Sequence, residues 1–380
     1  MRKLLKQLLK KYLMGLQCSS LRKHYAYVLS INNIAPPPTH TRRDEQKWLD
    51  YWRPLGVDPL KETFRAFYPY MGASLRIVPA TTCQQVIEPI LNPVKMRGYY
   101  ADKNFFEKIL PADFCPIAVI RKIQGQYFDV NYHFIEMNED VLADILSKTD
   151  FARLIVKPSI DSNSGNGVEM FVKNSEGIFC SVKSGTQLSY EWLEDNAGSN
   201  FILQEAVEQS DFMARFCATS VNTFRIAVYR SVKDEQCYVV GTVMKIGTDG
   251  SFVDNAHGGG RYVGISQDGE VSHYTLDQYG VKQDIFNGID FSKETFIIPN
   301  LDKIRAFSTE VAKHIPHHRL IALDVAIRKD GTPVLIEYNI TGYAMWIFQY
   351  TGFSAFGDFV SEIRDYALKH RTEIVQAIYF

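Results

Sequence analysis

The stretch "DVAIRKDGTPVLIEYN" (residues 324–339) decides the fold, because it predicts two short strands joined by a tight turn. Asp-Gly pairs favour two-residue hairpin turns, so we place the turn at Asp330 and Gly331. Side chains alternate between the two faces of a strand, and this register gives one face a continuous apolar layer. The other face receives Asp324 directly opposite Glu337, with Asn339 diagonally beside them.

Two like charges directly opposite each other destabilise a sheet by roughly 0.2–1 kcal/mol. A divalent cation reverses that effect. Two carboxylates and an amide oxygen suit Mg²⁺, which leaves its other positions to water and phosphate oxygens. Asp324, Glu337 and Asn339 are therefore candidate metal ligands. The alternative is a solvated edge face that carries ordinary charges.

The segment "LIVKPSIDSNSGNGVEMFV" (154–172) predicts a strand, a loop and a second strand. Gly165 and Gly167 permit positive φ and a close approach of the backbone to an anion. Consecutive amides in such turns form anion-binding nests. Lys157 lies at the strand end just before the loop, where its ammonium can reach a phosphate. The alternative is a glycine-rich connection with no ligand.

Two further features supply candidate residues for a ligand site. The segment "FILQEAVEQ" (201–209) is an apolar strand that gains acidic residues as it ends. Its backbone can meet an adenine edge, with Glu208 on the ribose hydroxyls, although a strand followed by a polar loop is the simpler reading. Arg225 and Lys245 lie in two further β-type segments, opposite their apolar neighbours. In one sheet both cations would oppose the carboxylates; singly, they resemble ordinary surface residues.

The composition is that of a globular protein and favours no bulk electrostatic partner. The chain has 380 residues, 46% of them hydrophobic, and a formal net charge of -1. This balance does not favour nucleic acid. The six cysteines are scattered singly, which indicates neither a zinc site nor a disulfide framework and suits reduced thiols in the cytosol. No apolar run is long enough for a transmembrane helix.

The beginning of the chain, "MRKLLKQLLKKYLMGLQ" (1–17), combines leucines at helical spacing with lysines between them. It has no unbroken apolar core or small-residue cleavage site, so it is not a signal peptide. We expect a helix that packs against its own protein. The alternative is a weak peripheral contact with an acidic membrane surface through residues 1–17.

Secondary structure is expected to change character near residue 150. Residues 1–35 are predicted to be helical, and 138–149 form a short helix capped by Asn138. After residue 150, short β-rich runs follow at close intervals up to Gly247. Two helices are predicted beyond them, one at 301–315 capped by Asn300 and one near 358–378.

Two segments have open roles. "DNAHGGGRYVG" (254–264) has enough backbone freedom to form a loop near a ligand, and its His257 is either a base or a structural residue; Asn255 precedes it. The aromatic segment "GYAMWIFQYTGF" (342–353) either stacks a sugar ring or simply packs in the core.

The order of these motifs resembles the ATP-grasp superfamily. A "VKP" lysine leads into a Gly/Ser loop, followed by "QEAVE", an arginine-bearing strand, the Asp of "LDV", and "E-x-N". "YADKNFFEKIL" (100–110) also resembles the entry to the family's nucleotide-binding part. Over about residues 100–345 the chain resembles, more narrowly, the sugar-transfer-associated ATP-grasp group. The resemblance implies an α+β fold in which two subdomains, residues 101–210 and 211–380, clasp ATP after a mostly helical N-terminal region, residues 1–100.

The resemblance also implies residue roles. Lys157 would contact the nucleotide, and the loop residues that would close over its phosphates are Ser162, Ser164, Gly165 and Gly167. The adenine and ribose would be framed by Gln204, Glu205, Val207 and Glu208. Mg²⁺ would be held by Asp324, Glu337 and Asn339. Arg225 would stabilise charge on the γ-phosphate, with help from Lys245.

The implied activity is that of a Mg-ATP-dependent carboxylate–amine ligase acting through an acylphosphate. Its partners would be a carboxylate acceptor and an amine, and the acceptor would be a sugar acid or related precursor of a surface or capsular polysaccharide. One alternative keeps the fold but transfers the γ-phosphate to a hydroxyl of a sugar or other small molecule, as a kinase does. The other is a non-catalytic nucleotide-binding scaffold in a glycan assembly complex.

Overall fold

The protein is described from a computed structural model that covers residues 2–34, 39–160, 165–251, 254 and 258–371. Its first third is mostly helical. The helices there are α1 (Arg2–Ile31), α2 (Thr39–Trp52), α3 (Lys61–Met71), α4 (Ala80–Thr82), α5 (Glu88–Leu91), α6 (Arg97–Ala101) and α7 (Phe106–Ile109). Within the described ranges, no helix combines the length and the hydrophobicity that crossing a bilayer requires.

An antiparallel sheet follows the helices. Its strands are β1 (Ala118–Ile123), β2 (Gln126–Phe128), β3 (Phe134–Ile135), β4 (Arg153–Pro158), β5 (Glu169–Lys173), β6 (Phe179–Ser181) and β7 (Phe201–Glu205). The spatial order is β3-β2-β1-β7-β4-β5-β6, so the last strand of this part of the chain lies between β1 and β4. The helices α8 (Glu139–Ser147) and α9 (Tyr190–Asn196) bury Leu142 and Leu193 in the core of this sheet.

A second antiparallel sheet is formed by the rest of the chain, after the short helix α10 (Asp211–Ala214). The strand order is β12-β11-β10-β9-β8-β15-β16. These strands are β8 (Thr223–Arg230), β9 (Cys237–Ile246), β10 (Arg261–Gly264), β11 (Thr275–Leu276), β12 (Lys282–Gln283), β15 (Leu320–Ile327) and β16 (Pro333–Asn339). A separate small hairpin comprises β13 (Ile285–Phe286) and β14 (Ile289–Asp290), and the helices of this part are α11 (Leu301–Lys313), α12 (Trp346–Tyr350) and α13 (Val360–His370).

The second sheet is covered on both faces. Strand β8 places Phe224 and Ile226 in one core with α11, because Ile304 and Val311 belong to the same cluster. The alternate residues of β8 point into the other core, which is shared with α1–α3, α12 and α13 and contains Ala227, Tyr229, Trp48, Phe67 and Phe348. The first hundred residues therefore pack on the same sheet as the last helices. The predicted division at residues 100/101 and 210/211 stays a prediction.

Two helix caps give different outcomes. The side chain of Asn138 accepts a hydrogen bond from Val141 N at 3.0 Å, so the cap predicted for α8 is confirmed. The cap predicted for α11 is wrong, because Asn300 makes no side-chain cap hydrogen bond and adopts a left-handed conformation with φ 54°. Asparagine tolerates that region better than most residues, so here it serves the backbone turn that enters the helix.

Candidate functional site

The hairpin of β15 and β16 pairs Asp324 with Glu337, as the sequence predicts, but its loop and the register next to the loop differ from the prediction. The predicted two-residue turn is wrong: Arg328 N donates to Thr332 O at 2.8 Å, so three residues form the loop, and Gly331 has φ 82°. Such a loop shifts the register by one. A bulge at Ile336 shifts it back, because Val325 pairs with Leu335 while Asp324 pairs with Glu337.

The same correction changes which residues share a face. Leu335 joins the core that contains Leu323 and Val325, whereas Val334 packs with Ala326. The register predicted from the sequence placed Val334 on the apolar face and Leu335 on the face of the two acids, so both residues of β16 have exchanged faces. Asn339 lies opposite Ala322 and its side-chain amide donates to Ala322 O at 3.4 Å, beside the paired acids.

Asp324 is the centre of a buried charge cluster. Its residue is 3% exposed, and the neighbouring strand β8 places Arg225 directly beside it. Arg225 Nη2 donates to Asp324 Oδ2 at 3.1 Å, and Arg225 Nε lies 2.8 Å from Asp324 Oδ1. That second contact is not aligned as a hydrogen bond, so Oδ1 is a buried oxygen without a hydrogen-bond partner. A buried anionic oxygen of this kind is a suitable ligand for a cation.

Lys245 approaches Asp324 from β9, on the far side of β8. Its Nζ lies 3.4 Å from Asp324 Oδ2 and 3.2 Å from Asp254 Oδ1. Burial alone lowers the pKa of Lys245, but the carboxylates of Asp254 and then Asp324 outweigh it, and the net pKa is raised. Lys245 is therefore held as an ammonium.

Asp254 is a member of this cluster that the sequence reasoning missed. Its Oδ2 accepts from Thr223 N at 3.0 Å and from the Thr223 hydroxyl. Burial raises the pKa of Asp254, and Lys245 opposes that shift. Its position in the sequence could have indicated this role, because Asp254 is the first residue of the glycine-rich segment 254–264 that is expected to form a loop near a ligand. Asn255 and His257 of that segment lie outside the described residues.

Lys157 and Lys103 bring two more cations to the other acid of the hairpin. Lys157, at the end of β4, donates to Ile336 O at 3.4 Å, which joins the first sheet to the hairpin of the second. Lys103 Nζ lies 3.6 Å from Glu337 Oε2. Burial and then the Lys103 ammonium lower the pKa of Lys157 to about 8, against the pull of Glu337. Four cations and three carboxylates thus meet between the two sheets, which leaves room for further negative charge.

The donor set fits a magnesium ion that is bound jointly with phosphates. Within the described part of the chain, no group of three or more His, Cys, Asp and Glu side chains is arranged to hold a metal. The predicted set differs from such a cage, since it has two carboxylates and one amide. Mg²⁺ takes few protein ligands and completes its octahedron with water and phosphate oxygens. Asp324 Oδ1, which accepts no hydrogen bond, and the part-exposed Glu337 are compatible with this mode.

The glycine-rich loop lies beside Lys157. Gly165 and Gly167 both have φ 73°, which an L side chain rarely adopts. A Cβ atom on Gly167 would lie 2.8 Å from Pro158 Cγ, so the loop passes too closely over the strand end for any larger residue. Ser162 and Ser164 lie outside the described residues.

The "QEAVE" segment connects the two sheets. Glu205 forms a double ion pair with Arg328, at 2.6 and 2.9 Å, and Glu205 Oε1 also accepts from Ile117 N at 2.7 Å. Both carboxylate oxygens of Glu205 therefore already accept hydrogen bonds from the protein. Val207 is buried against Ala326 and Val334, and Gln204 is buried in β7.

Glu208 is the exposed member of the segment. It pairs with Lys329 at 3.1 Å, with more than half of each side chain exposed. A cavity of about 540 Å³ adjoins it at the turn end of the hairpin, lined by charged residues such as Arg153, Glu205 and Lys329. The six residues from Asp324 to Asp330 span roughly 20 Å of strand. The cavity lies at the turn of the hairpin, whereas the Asp324 cluster lies in the middle of β15, so the two are separate.

The aromatic segment 342–353 packs in the core. Phe348 and Tyr350 are fully buried, and Phe348 fits against Gly241 so closely that a Cβ there would lie 2.7 Å from its ring. Trp346 is half-buried against Tyr262 and Tyr350. For Phe348 and Tyr350 the packing interpretation is confirmed.

Comparison by sequence with known families gives a match that covers most of the chain. The sequence profile of the family described as "Sugar-transfer associated ATP-grasp" matches residues 84–360. No curated protein matches the chain by sequence.

Several solved structures resemble the fold at low identity. An L-amino acid ligase from Bacillus licheniformis is 15% identical, with a TM-score of 0.37, and the alignment covers 72% of this chain and 48% of that one. A D-alanine–D-alanine ligase from Coxiella burnetii is 10% identical (TM-score 0.38, 72% and 58% covered). An N5-carboxyaminoimidazole synthase from Aspergillus clavatus, in complex with ADP and 5-aminoimidazole ribonucleotide, is 12% identical (TM-score 0.38, 72% and 54% covered). The chain thus spans about half the length of these proteins.

Proposed function

Because the chain belongs to the sugar-transfer-associated ATP-grasp family, we propose that it is a Mg-ATP-dependent ligase that joins a carboxylate to an amine. The observation that carries the proposal is the charge cluster between the sheets. The four cations there (Arg225, Lys245, Lys103 and Lys157) outnumber the three carboxylates, and Asp324 at the centre has a buried oxygen, Oδ1, that accepts no hydrogen bond. A polyphosphate with a divalent cation supplies the missing charges of both signs.

The nucleotide would lie between the sheets, with its phosphates towards Lys157 and the loop that contains Gly167. Gln204 and the 205–208 segment would frame the adenine and ribose. Glu205 would act on that segment through its ion pair with Arg328, and Glu208 would exchange Lys329 for ribose hydroxyls. Asp324, Glu337 and Asn339 would hold Mg²⁺, which would neutralise phosphate charge and polarise the γ-phosphorus.

The chain's own residues would align and stabilise the reaction rather than form a covalent intermediate. A carboxylate oxygen of the acceptor attacks the γ-phosphorus, and the bond to the β–γ bridging oxygen breaks to release ADP. The amine then attacks the acyl carbon of the acylphosphate, which releases phosphate and a proton. Arg225 and Lys245 are already oriented by Asp324 and Asp254, so they would stabilise the transferring phosphoryl group without reorganising.

The proposed acceptor is a sugar acid or a related precursor of a surface polysaccharide, which follows from the family's association with sugar transfer. The test is ADP and phosphate release with Mg-ATP and a panel of sugar acids and amines, together with the mass of the product. A condensed product with free phosphate supports the ligase. A stable product heavier by one phosphate identifies a kinase instead, and absence of turnover with retained nucleotide binding identifies a scaffold.

Asp324→Asn is the informative variant. It should lower turnover by about a hundredfold or more, since it removes a metal ligand and the counter-charge of two cations. The matched control is Asp302→Asn, because the Asp302 side chain is 99% exposed on α11, away from the cluster. Equal turnover in the two variants would contradict the proposed role of Asp324.

A further inference from the structure

Helix α1 is bound to the protein along one stripe of its surface. Tyr25 and Val28 are buried, and the stripe continues towards the beginning of the helix through Leu21, Cys18 and Met14, which are partly buried. Gln85 Nε2 reaches this stripe, donating to Met14 O at 3.2 Å and to Cys18 Sγ at 3.6 Å. These residues follow each other at intervals of three and four, so they share one side of the helix.

Most apolar residues of the first half of α1, Met14 excepted, lie on the other side. The described ones are all exposed, at 38% to 67%: Leu5, Leu8, Leu9, Tyr12, Leu13 and Leu16. At about 100° per residue, their mean direction is nearly opposite to that of the docked stripe. One straight helix cannot turn both stripes towards the same body. The helix therefore packs against its own protein, as expected, but through the docked stripe and not through these leucines.

The charge of this segment selects what can cover the leucines. Five of residues 2–11 are basic (Arg2, Lys3, Lys6, Lys10 and Lys11), and no acidic residue precedes Asp44. A second copy of the helix would bring like charges together, with no carboxylate in either segment to relieve them. An anionic surface attracts a segment of this net positive charge, and the apolar layer beneath it accepts the leucines.

We propose that residues 2–17 of α1 bind the surface of an anionic lipid bilayer. The helix lies in the plane of the headgroups with its leucines at the acyl boundary. It does not cross, since no described helix is long and apolar enough to do so. The docked stripe faces away from the leucines, so the folded body is held on the aqueous side. This inference stands independently of the proposed ligase activity.

The test is co-sedimentation of the full chain with vesicles of phosphatidylcholine alone or of phosphatidylcholine with phosphatidylglycerol. We expect binding to the anionic vesicles only, weakening as salt is added. The variant Leu5→Ser/Leu9→Ser/Leu16→Ser should bind the anionic vesicles at least about tenfold more weakly than the parent chain. The matched control, Leu75→Ser/Val182→Ser/Ile285→Ser, removes three equally exposed apolar side chains elsewhere and should bind like the parent chain.

Because all six substituted side chains are exposed, circular dichroism and thermal melting should show both variants folded. Equal binding to the two kinds of vesicle, or equal binding by the two variants, overturns the proposal. Sedimentation equilibrium without lipid tests the alternative that a second copy of the chain covers the leucines. A dimer that the leucine variant abolishes, with no vesicle binding, would assign the leucine stripe to a second copy of the chain and likewise overturn the proposal.

Discussion

Lys157 is a cation that the free protein holds at a cost. Burial, and after it the Lys103 ammonium, lowers its pKa to about 8 from an ordinary value of 10.5. The folded pKa lies below the unfolded one, so the folded state binds fewer protons between those two values. The site therefore destabilises the protein below pH 8, and this cost disappears as the pH rises towards 10.5. A phosphate beside Nζ would restore the ammonium.

We predict that ADP binding takes up protons at pH 8 to 9 and that affinity falls as the pH rises through this range. The reason is that bound phosphate raises the pKa of Lys157 back towards its ordinary value. Calorimetry in two buffers of different ionisation enthalpy measures the uptake. Lys157→Met should reduce it, while Lys148→Met, at a side chain 71% exposed that follows the last residue of α8, should not. The same uptake in both variants would assign the proton to another group.

At the scale of elements, the sequence located the strands well because each short apolar run is bounded by turn residues. It also placed Asp324 opposite Glu337, although two local deviations had to cancel for this to hold. A three-residue loop and a bulge at Ile336 each shift the register by one, and neither has a composition signal as strong as Asp-Gly. The register of a strand is fixed by the face that must be buried. The pairing of Asp324 with Glu337 is therefore retained, and the bulge at Ile336 compensates for the longer loop.

The glycine-rich loop offers a test of local geometry. Gly167→Ala should lower the free energy of unfolding by about 1–2 kcal/mol for positive φ, with about 1–2 kcal/mol more for the contact with Pro158. Gly185→Ala is the matched control, because Gly185 has φ 72° in the loop after β6 and its Cβ would meet nothing within 4 Å. Urea denaturation measures both. ADP affinity should fall only in Gly167→Ala, since its Cβ displaces the strand end that carries Lys157.

Equal losses of stability in the two glycine variants would mean that the loop moves away from Pro158 freely. Unchanged ADP affinity in Gly167→Ala would separate this loop from the nucleotide. The two readouts are independent, because backbone strain acts on folding and the position of Lys157 acts on binding.

At the scale of the whole molecule, the partners of the predicted residues were beyond the reach of sequence patterns. Lys103 meets Glu337 and Arg328 meets Glu205 across separations of more than a hundred residues. Periodicity describes one strand or helix at a time, and it carries no information on which elements become neighbours. The same limit explains the helix α1: its leucines were recognised as one apolar stripe, but only the packed structure shows that the body lies on the other side.

The junction between the sheets should depend on one ion pair far more than on its neighbour. Arg328→Gln leaves the Glu205 carboxylate, whose side chain is 9% exposed, without its cation and should lower the free energy of unfolding by about 3 kcal/mol. Lys329→Gln breaks the adjacent pair with Glu208, where both side chains are more than half exposed, and should cost about 0.5 kcal/mol or less. Urea denaturation of both variants measures the difference.

The double variant Glu205→Gln/Arg328→Gln decides between two explanations of that loss. If the cost comes from a buried unpaired charge, removing the carboxylate as well should recover part of it, and the two single changes will not add. If the Arg328 side chain acts mainly by packing its aliphatic stem against the hairpin, the double variant will be no more stable than Arg328→Gln. Recovery would mean that charge compensation near the turn of the hairpin joins the two sheets, a role separate from that of the Asp324 cluster in the middle of β15, whose excess positive charge is proposed to bind the ligand.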